Sequence, residues 1–367
     1  MINRTDRALA SLTSLQKRLK SQSKQGLINA YVHVTYRCNL RCNHCYAQSS
    51  PDESAAMPVD QVINLVRQAA QAGFRKAVIT GGEPLMHPLR DQLLDALNEL
   101  RKDIKPLKTV LRTNLASWLP PSLIKKLADS TNQIVVSVDG DRVCHDARRG
   151  IGNYARTVEN IKALLATKPK SLVTITAVLT AEQIRGKEGE SVHALAKELG
   201  IPVRVKSIIP IGRGAELNLN PDYYTSLDVD NDTLIAGTKP VSTCGLGMNL
   251  YIAPDGDCYP CYTLMGDHHH LGNVLNENMT AILARNDAYR QVTVDSNMQC
   301  HTCDLRYLCG GFCRAWSKNG DPDAPPTNCI TLYNRAYQQL LGALEILEIS
   351  KEKWETVVLA LPVPPLY

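Results

Sequence analysis

The sequence predicts an α/β protein: a partial (β/α)6 barrel of the TIM-like kind, followed by a smaller cysteine-rich domain. Six apolar, strand-like runs alternate with helical patterns along residues 31–207, which is the signature of parallel strands joined by crossover helices. The alternation stops at IIPIGRGAELNLNPD, residues 208–222, where Pro, Gly and Asn break any regular element. Beyond that break lie most of the 12 cysteines.

In chain order, residues 5–21 place Leu9, Leu12, Leu15 and Leu19 at helical spacing opposite Lys17, Arg18 and Lys20, an amphipathic helix in an N-terminal lead-in over 1–30. The barrel, 31–207, then reads as strand 31–35, helix 59–72, strand 77–80, helix 89–100, strand 109–113 and helix 123–128. Strand 134–138, helix 154–166, strand 172–179, helix 191–199 and strand 203–207 complete it. Chemistry in such a fold sits at the carboxyl ends of the strands. A linker is expected over 208–243, a cysteine-rich domain over 244–335, and a C-terminal helix and tail over 336–367. The helical pattern begins at 331, with Leu340, Leu341, Leu344 and Leu347 on its apolar side.

Composition narrows the class. A chain of 367 residues buries a large core. The first 25 residues are basic and polar without an apolar stretch, and no run is long enough to cross a bilayer, so no membrane partner is expected and the location is read as cytoplasmic. In a reducing compartment 12 cysteines point to metal or redox chemistry more than to disulfides. A net charge of +5, spread along the chain, gives no reason to expect a nucleic-acid partner.

The chemistry is concentrated in VHVTYRCNLRCNHCYA, residues 32–47, where Cys38, Cys42 and Cys45 share one loop straight after a strand. A structural zinc site takes four ligands; three thiolates leave a coordination position open. This CxxxCxxC spacing, with His44 as the aromatic residue before the last cysteine, resembles the radical S-adenosylmethionine (SAM) enzymes. The resemblance implies a [4Fe-4S] cluster on the three cysteines and SAM on its free iron. One-electron cleavage of SAM would then yield methionine and a 5'-deoxyadenosyl radical. Gly81-Gly82-Glu83-Pro84 resembles the motif that holds the SAM ammonium in that family. Asn114, Ser137 and Asp139 resemble the strand-end positions that line SAM, and Arg149 is a candidate anion partner.

From Cys244 the cysteines run C-x11-G-x4-C, then C-x2-C-x5-C-x3-C, then a last one. This pattern resembles the SPASM extension, which houses two auxiliary [4Fe-4S] clusters and brings the total to three. The resemblance assigns Cys300, Cys303, Cys309 and Cys329 to one and Cys244, Cys261 and Cys313 to the other. The family often has a further cysteine where this chain has Leu250. Cys258, in the CxxC turn that ends at Cys261, is expected to replace it as fourth ligand. Structural zinc is the competing reading of these pairs. Cys144 fits neither set and reads as an ordinary thiol, and His268, His269 and His270 as a polar loop.

What the resemblance implies is an enzyme that abstracts hydrogen from a ribosomally made precursor peptide, installing a cross-link, an epimerised centre or a backbone excision. A flavodoxin- or ferredoxin-type donor would supply electrons, and a separate recognition protein is plausible because the N-terminal segment is short. Tetrapyrrole side-chain chemistry is the alternative. Sulfatase maturation is a further one, weakened because Tyr262 stands where those enzymes carry an Asp. A non-enzymatic iron–sulfur scaffold is disfavoured by the full set of SAM-binding motifs.

Overall fold

The computed structural model describes residues 26–217, 246–291, 301, 302 and 329. The chain divides into two units, 27–223 with 249–286, and 1–26 with 224–248 and 287–367. Nearly all described residues belong to the first. The expected N-terminal and C-terminal helices, and Cys244, Cys300, Cys303, Cys309 and Cys313, lie outside the described residues.

The strands are β1 (Asn29–His33), β2 (Lys76–Thr80), β3 (Lys108–Thr113), β4 (Gln133–Ser137), β5 (Val173–Leu179) and β6 (Val203–Ser207). They pair in sequence order, every pair parallel. Crossovers are made by α1 (Val59–Gln71), α2 (Arg90–Asp103), α3 (Pro121–Ser130), α4 (Arg142–Arg149), α5 (Asn153–Leu165), α6 (Ala181–Arg185) and α7 (Lys187–Leu199). The strands and long helices expected within 31–207 are all present. Sequence reading missed α4 and α6, which are too short to show a full apolar stripe. Side-chain caps start both: Asp141 accepts from the Cys144 amide at 2.9 Å, and Thr180 with Gln183 forms a capping box.

Burial follows from two periods. In α1, Val62, Leu65, Val66 and Ala69 recur on one face and are buried. On the sheet, Leu111, Ile134, Val136, Val173, Ile175 and Ala177 point to the helix side and join Leu127, Ile161, Leu164, Val192 and Leu199 in one core. The alternate strand positions therefore form the concave face. They include Tyr31, His33, Lys76, Arg112, Arg204 and Tyr251.

Among the described residues, the segment after the expected linker continues the barrel sheet. β7 (Asn249–Ile252) pairs parallel with β1, and β8 (Asp257–Tyr259) and β9 (Gly272–Asn273) continue antiparallel, giving one nine-stranded sheet. The start of that linker, 208–217, also belongs to the barrel unit. Its Gly and Pro content reflects close packing against the cysteine loop. A helix, α8 (Met279–Gln291), follows β9.

Candidate active site and cluster-binding loops

The cysteine loop leaves the carboxyl end of β1 and is tied down by backbone. Amides of Gly82 and Glu83 donate to the carbonyls of Thr35 and Arg37 at 2.7 and 2.9 Å, and the Cys38 amide to Ser50 at 3.0 Å. Glycine is required at the first contact, because a Cβ on Gly82 would stand 2.4 Å from the Arg37 carbonyl oxygen. From the other side, Arg213 of the IPIGRG segment donates to the carbonyls of Cys42 and Ser49 at 2.7 and 2.8 Å. Gly212, at φ +55°, sits where a Cβ would be 2.4 Å from the Tyr46 carbonyl oxygen.

Cys38 and Cys42 are buried in one small cluster with Leu40, and Cys45 and Ala116 pack against it. N–H donors face the sulfurs. The Leu40 amide is 3.4 Å and the Asn114 side-chain amide 3.7 Å from Cys38 Sγ, and an Arg149 guanidinium nitrogen is 4.0 Å from Cys42 Sγ. Burial, with the Glu83 carboxylate second, pushes the Cys38 thiol up to about 12; burial also raises Cys42. Empty of metal these would be protonated thiols, and a cluster would displace the protons and accept those N–H bonds as thiolates. Among the described residues no three His, Cys, Asp or Glu side chains converge closely enough for a single ion. Cys38 and Cys42 are buried together with Cys45 packed against them, a three-thiol donor set of the kind an iron–sulfur cluster takes.

Glu83 is 1 % exposed. Its carboxylate accepts from the Thr113 hydroxyl at 2.7 Å, the Asn114 amide at 2.7 Å and the Leu85 amide at 3.1 Å. Burial pushes its pKa up to about 7 despite those bonds. Pro84 opens a short 3-10 turn to Met86. Glu83 thus locks the end of β2 to the end of β3, a role invisible in the motif itself. Asn114 links onward, its side-chain amide reaching Asn39 at 3.0 Å as well as Cys38.

Beyond β4, Asp139 is fully buried and takes Arg149 Nε at 2.6 Å, the Val178 amide at 2.8 Å and His44 Nε2 at 3.3 Å. Burial alone would raise this carboxyl, but the Arg149 guanidinium, His44 and the hydrogen bonds from Arg149 and the Val178 amide together outweigh it and hold it at about 2. Burial also lowers His44 to about 4, leaving the imidazole neutral near pH 7. Arg149, weighed in the sequence as an anion partner, is the cation of a buried pair beside Cys42. Ser137 lies half-buried on the concave face.

In the second cysteine group, Cys258 is buried on β8 and its thiol donates to the Gly256 carbonyl at 3.5 Å. Cys261 lies past the strand end with its sulfur 3.1 Å from the Thr263 hydroxyl. The rings of Tyr46 and Tyr262, each directly after a cysteine, are 5.0 Å apart, and Tyr46 OH is 2.9 Å from His33 Nε2. Cys144 is buried, with Gln183 Nε2 at 3.7 Å. The three consecutive histidines do not converge: His270 pairs with Asp257 at 3.1 Å while His268 is exposed. Cys329 is exposed. A cavity of about 450 Å³ opens beside the loop between Asn43, Cys144, Arg148, Thr180, Gln183 and Ile208. Sequence reasoning missed His33, Tyr46, Arg112, Thr113 and Arg213. The strand period would have put Arg112 on the concave face, and the glycines flanking Arg213 signalled close packing.

The chain carries a radical SAM domain followed by a SPASM domain. The radical SAM superfamily matches residues 32–185, and the iron–sulfur cluster-binding domain SPASM matches 244–304. Among relatives, mycofactocin maturase MftC of Mycolicibacterium smegmatis is 26% identical over 355 residues, 87% of this chain and 88% of its own. AdoMet-dependent heme synthase of Methanosarcina barkeri is 32% identical over 190 residues, 50% of this chain and 51% of that one. In fold alone, Streptococcus suis SuiB bound to precursor peptide SuiA matches with TM-score 0.63 at 18% identity, covering 85% of this chain and 78% of SuiB. The two domains imply iron–sulfur clusters and SAM as cofactors. Among the described residues no helix is long and apolar enough to cross a membrane.

Proposed function

We propose that the protein is a peptide-modifying maturase that removes a hydrogen atom from a residue of a ribosomally made precursor. The observation that carries this reading is likeness to a maturase along 87% of the chain, through barrel and SPASM segment alike. The likeness in fold to a protein whose structure holds a precursor peptide supports it. A cluster on Cys38, Cys42 and Cys45, with SAM on it, would supply the one-electron chemistry and the hydrogen-abstracting radical.

The chain's own residues position that chemistry. Gly81, Gly82, Glu83 and Pro84 fix the loop against β2, with Glu83 available to a SAM ammonium through the same oxygens that now accept Thr113 and Asn114. Asn114, Ser137, Asp139 and His44 surround the remaining side of the SAM site, and Arg149 holds Asp139 ionised. Two auxiliary clusters, three in all, are assigned to Cys300, Cys303, Cys309 and Cys329 and to Cys244, Cys258, Cys261 and Cys313. For Cys258 the support is its spacing to Cys261 in the CxxC turn. Cys258→Ala should alter the electron paramagnetic resonance of one auxiliary cluster; unchanged spectra would refute the assignment and leave an open iron. An external flavodoxin- or ferredoxin-type donor, a separate recognition protein and a cytoplasmic setting complete the reading.

The test is anaerobic incubation of the reconstituted enzyme with SAM, reductant and any short peptide found encoded beside its gene. A mass change on the peptide is expected. The concave face, with its lysines and arginines, favours one second reading, tetrapyrrole side-chain chemistry. A mass change on a porphyrin with none on the peptide would establish that instead.

A further inference from the structure

The concave face has a composition unlike the rest of the site. Reading alternate positions of β1 to β7, it carries Lys76, Lys108, Arg112, Arg204 and Lys206, and no Asp or Glu. Lys76, Lys108, Arg112 and Arg204 have no carboxylate partner among the described residues. These cations face one another across the curled sheet. The Lys76 ammonium is lowered first by burial and then by Arg204, Lys108 and Arg112, although Arg204 lies four strands away along the sheet. Like charges gathered without a counter-ion are unfavourable for folding, so their arrangement asks for an anion.

A second, independent observation marks the same surface. His33 Nδ1, Arg112 Nε and the Tyr251 hydroxyl are buried and lack a hydrogen-bond partner, while His33 and Tyr251 are 0 % and 2 % exposed. Buried polar atoms are normally paired, and each one left unpaired carries a desolvation cost. The three are neighbours. The His33 and Tyr251 rings are 4.8 Å apart, His33 sits opposite Thr80 in register, and the Arg112 guanidinium lies over the Tyr31 ring at 5.2 Å. Through His33 the group reaches Tyr46, the residue after Cys45, so a ligand held here would end at the cluster loop.

We propose that the concave face, centred on Arg112 and bounded by His33, Tyr251, Lys76 and Arg204, binds a carboxylate-bearing part of the substrate. The Arg112 fork would take the carboxylate and the Tyr251 hydroxyl would donate to it, meeting the orphaned donors and the unpaired charge together. This rests on the reading above that substrate is presented under the cysteine loop. The same chemistry serves acidic side chains of a peptide or the propionates of a tetrapyrrole, and the experiment separates the two.

The anaerobically reconstituted full chain is titrated calorimetrically with a capped Gly-Glu-Gly-Glu-Gly peptide, its Gln counterpart, and coproporphyrin with its methyl ester. The acidic form of at least one pair should bind about tenfold more tightly than its neutral form. Arg112→Gln should erase that difference. Arg204→Gln, on the exposed rim where it supports no packing, should reduce it by a smaller factor without altering the melting temperature. Arg112-dependent binding of the porphyrin alone would uphold the carboxylate chamber while removing the peptide reading. Equal binding of acidic and neutral forms, or discrimination that survives both variants, would overturn the chamber and leave the peptide assay to judge the enzyme's function separately.

Discussion

The charged groups beneath the cysteine loop and those on the concave face of the same sheet are treated in opposite ways. Beneath the loop every buried charge has partners: Glu83 three donors, Asp139 an arginine, an amide and an imidazole, and Arg213 two carbonyls. On the concave face, cations stand together and three buried polar atoms have none. Paired groups are built to hold a geometry; unpaired ones have been left for something else to satisfy. On the readings proposed above, the first region positions a cofactor and the second awaits a ligand.

Removing one member of a buried pair should cost most. Arg149→Met leaves Asp139 uncompensated and should destabilise the protein by about 3–5 kcal/mol, read as a fall in the denaturation midpoint at pH 7. The wild-type pair also sets an acid limit. Because the Asp139 carboxyl is depressed from 3.8 to about 2 in the fold, its contribution is complete above about pH 4 and is lost as pH falls through about 2. Acid titrations of stability should show that loss in the wild type and a smaller one in the variant.

A middling effect is expected where backbone meets backbone. Gly82→Ala drives a methyl into the Arg37 carbonyl and should cost about 1–3 kcal/mol, with reduced iron retention because the loop shifts. Least should come from the unpaired region: Arg112→Gln should change stability by less than about 1 kcal/mol in either direction. Lost stacking on Tyr31 is offset there by relief of like-charge repulsion. An Arg112 variant as unstable as the Arg149 one would erase the contrast between the two regions.

Much of the barrel was legible because parallel strands and crossover helices write two clear periods, as at Val62, Leu65, Val66 and Ala69 against Val173, Ile175 and Ala177. The gathering of Cys38, Cys42 and Cys45 beside GGEP was legible because their spacing is chemical. What stayed hidden depends on which strands become neighbours. Nothing local to NLYI, residues 249–252, says that it pairs with β1, and so Tyr251 could not be placed beside His33. Arg213 was read as linker because glycines that allow close approach look like glycines that allow flexibility. Glu83 was visible as a carboxylate, but its bond to Thr113, 30 residues on, required the sheet order.

The central claim is that Cys38, Cys42 and Cys45 form the site at which SAM is cleaved. It is tested most directly by measuring 5'-deoxyadenosine released from SAM under anaerobic reduction, in the wild type and in the variant with all three changed to Ala. The wild type should release it; the variant should release none while its SPASM domain keeps iron and the absorbance of iron–sulfur clusters. Deoxyadenosine formed by the triple variant at the wild-type rate would contradict the assignment.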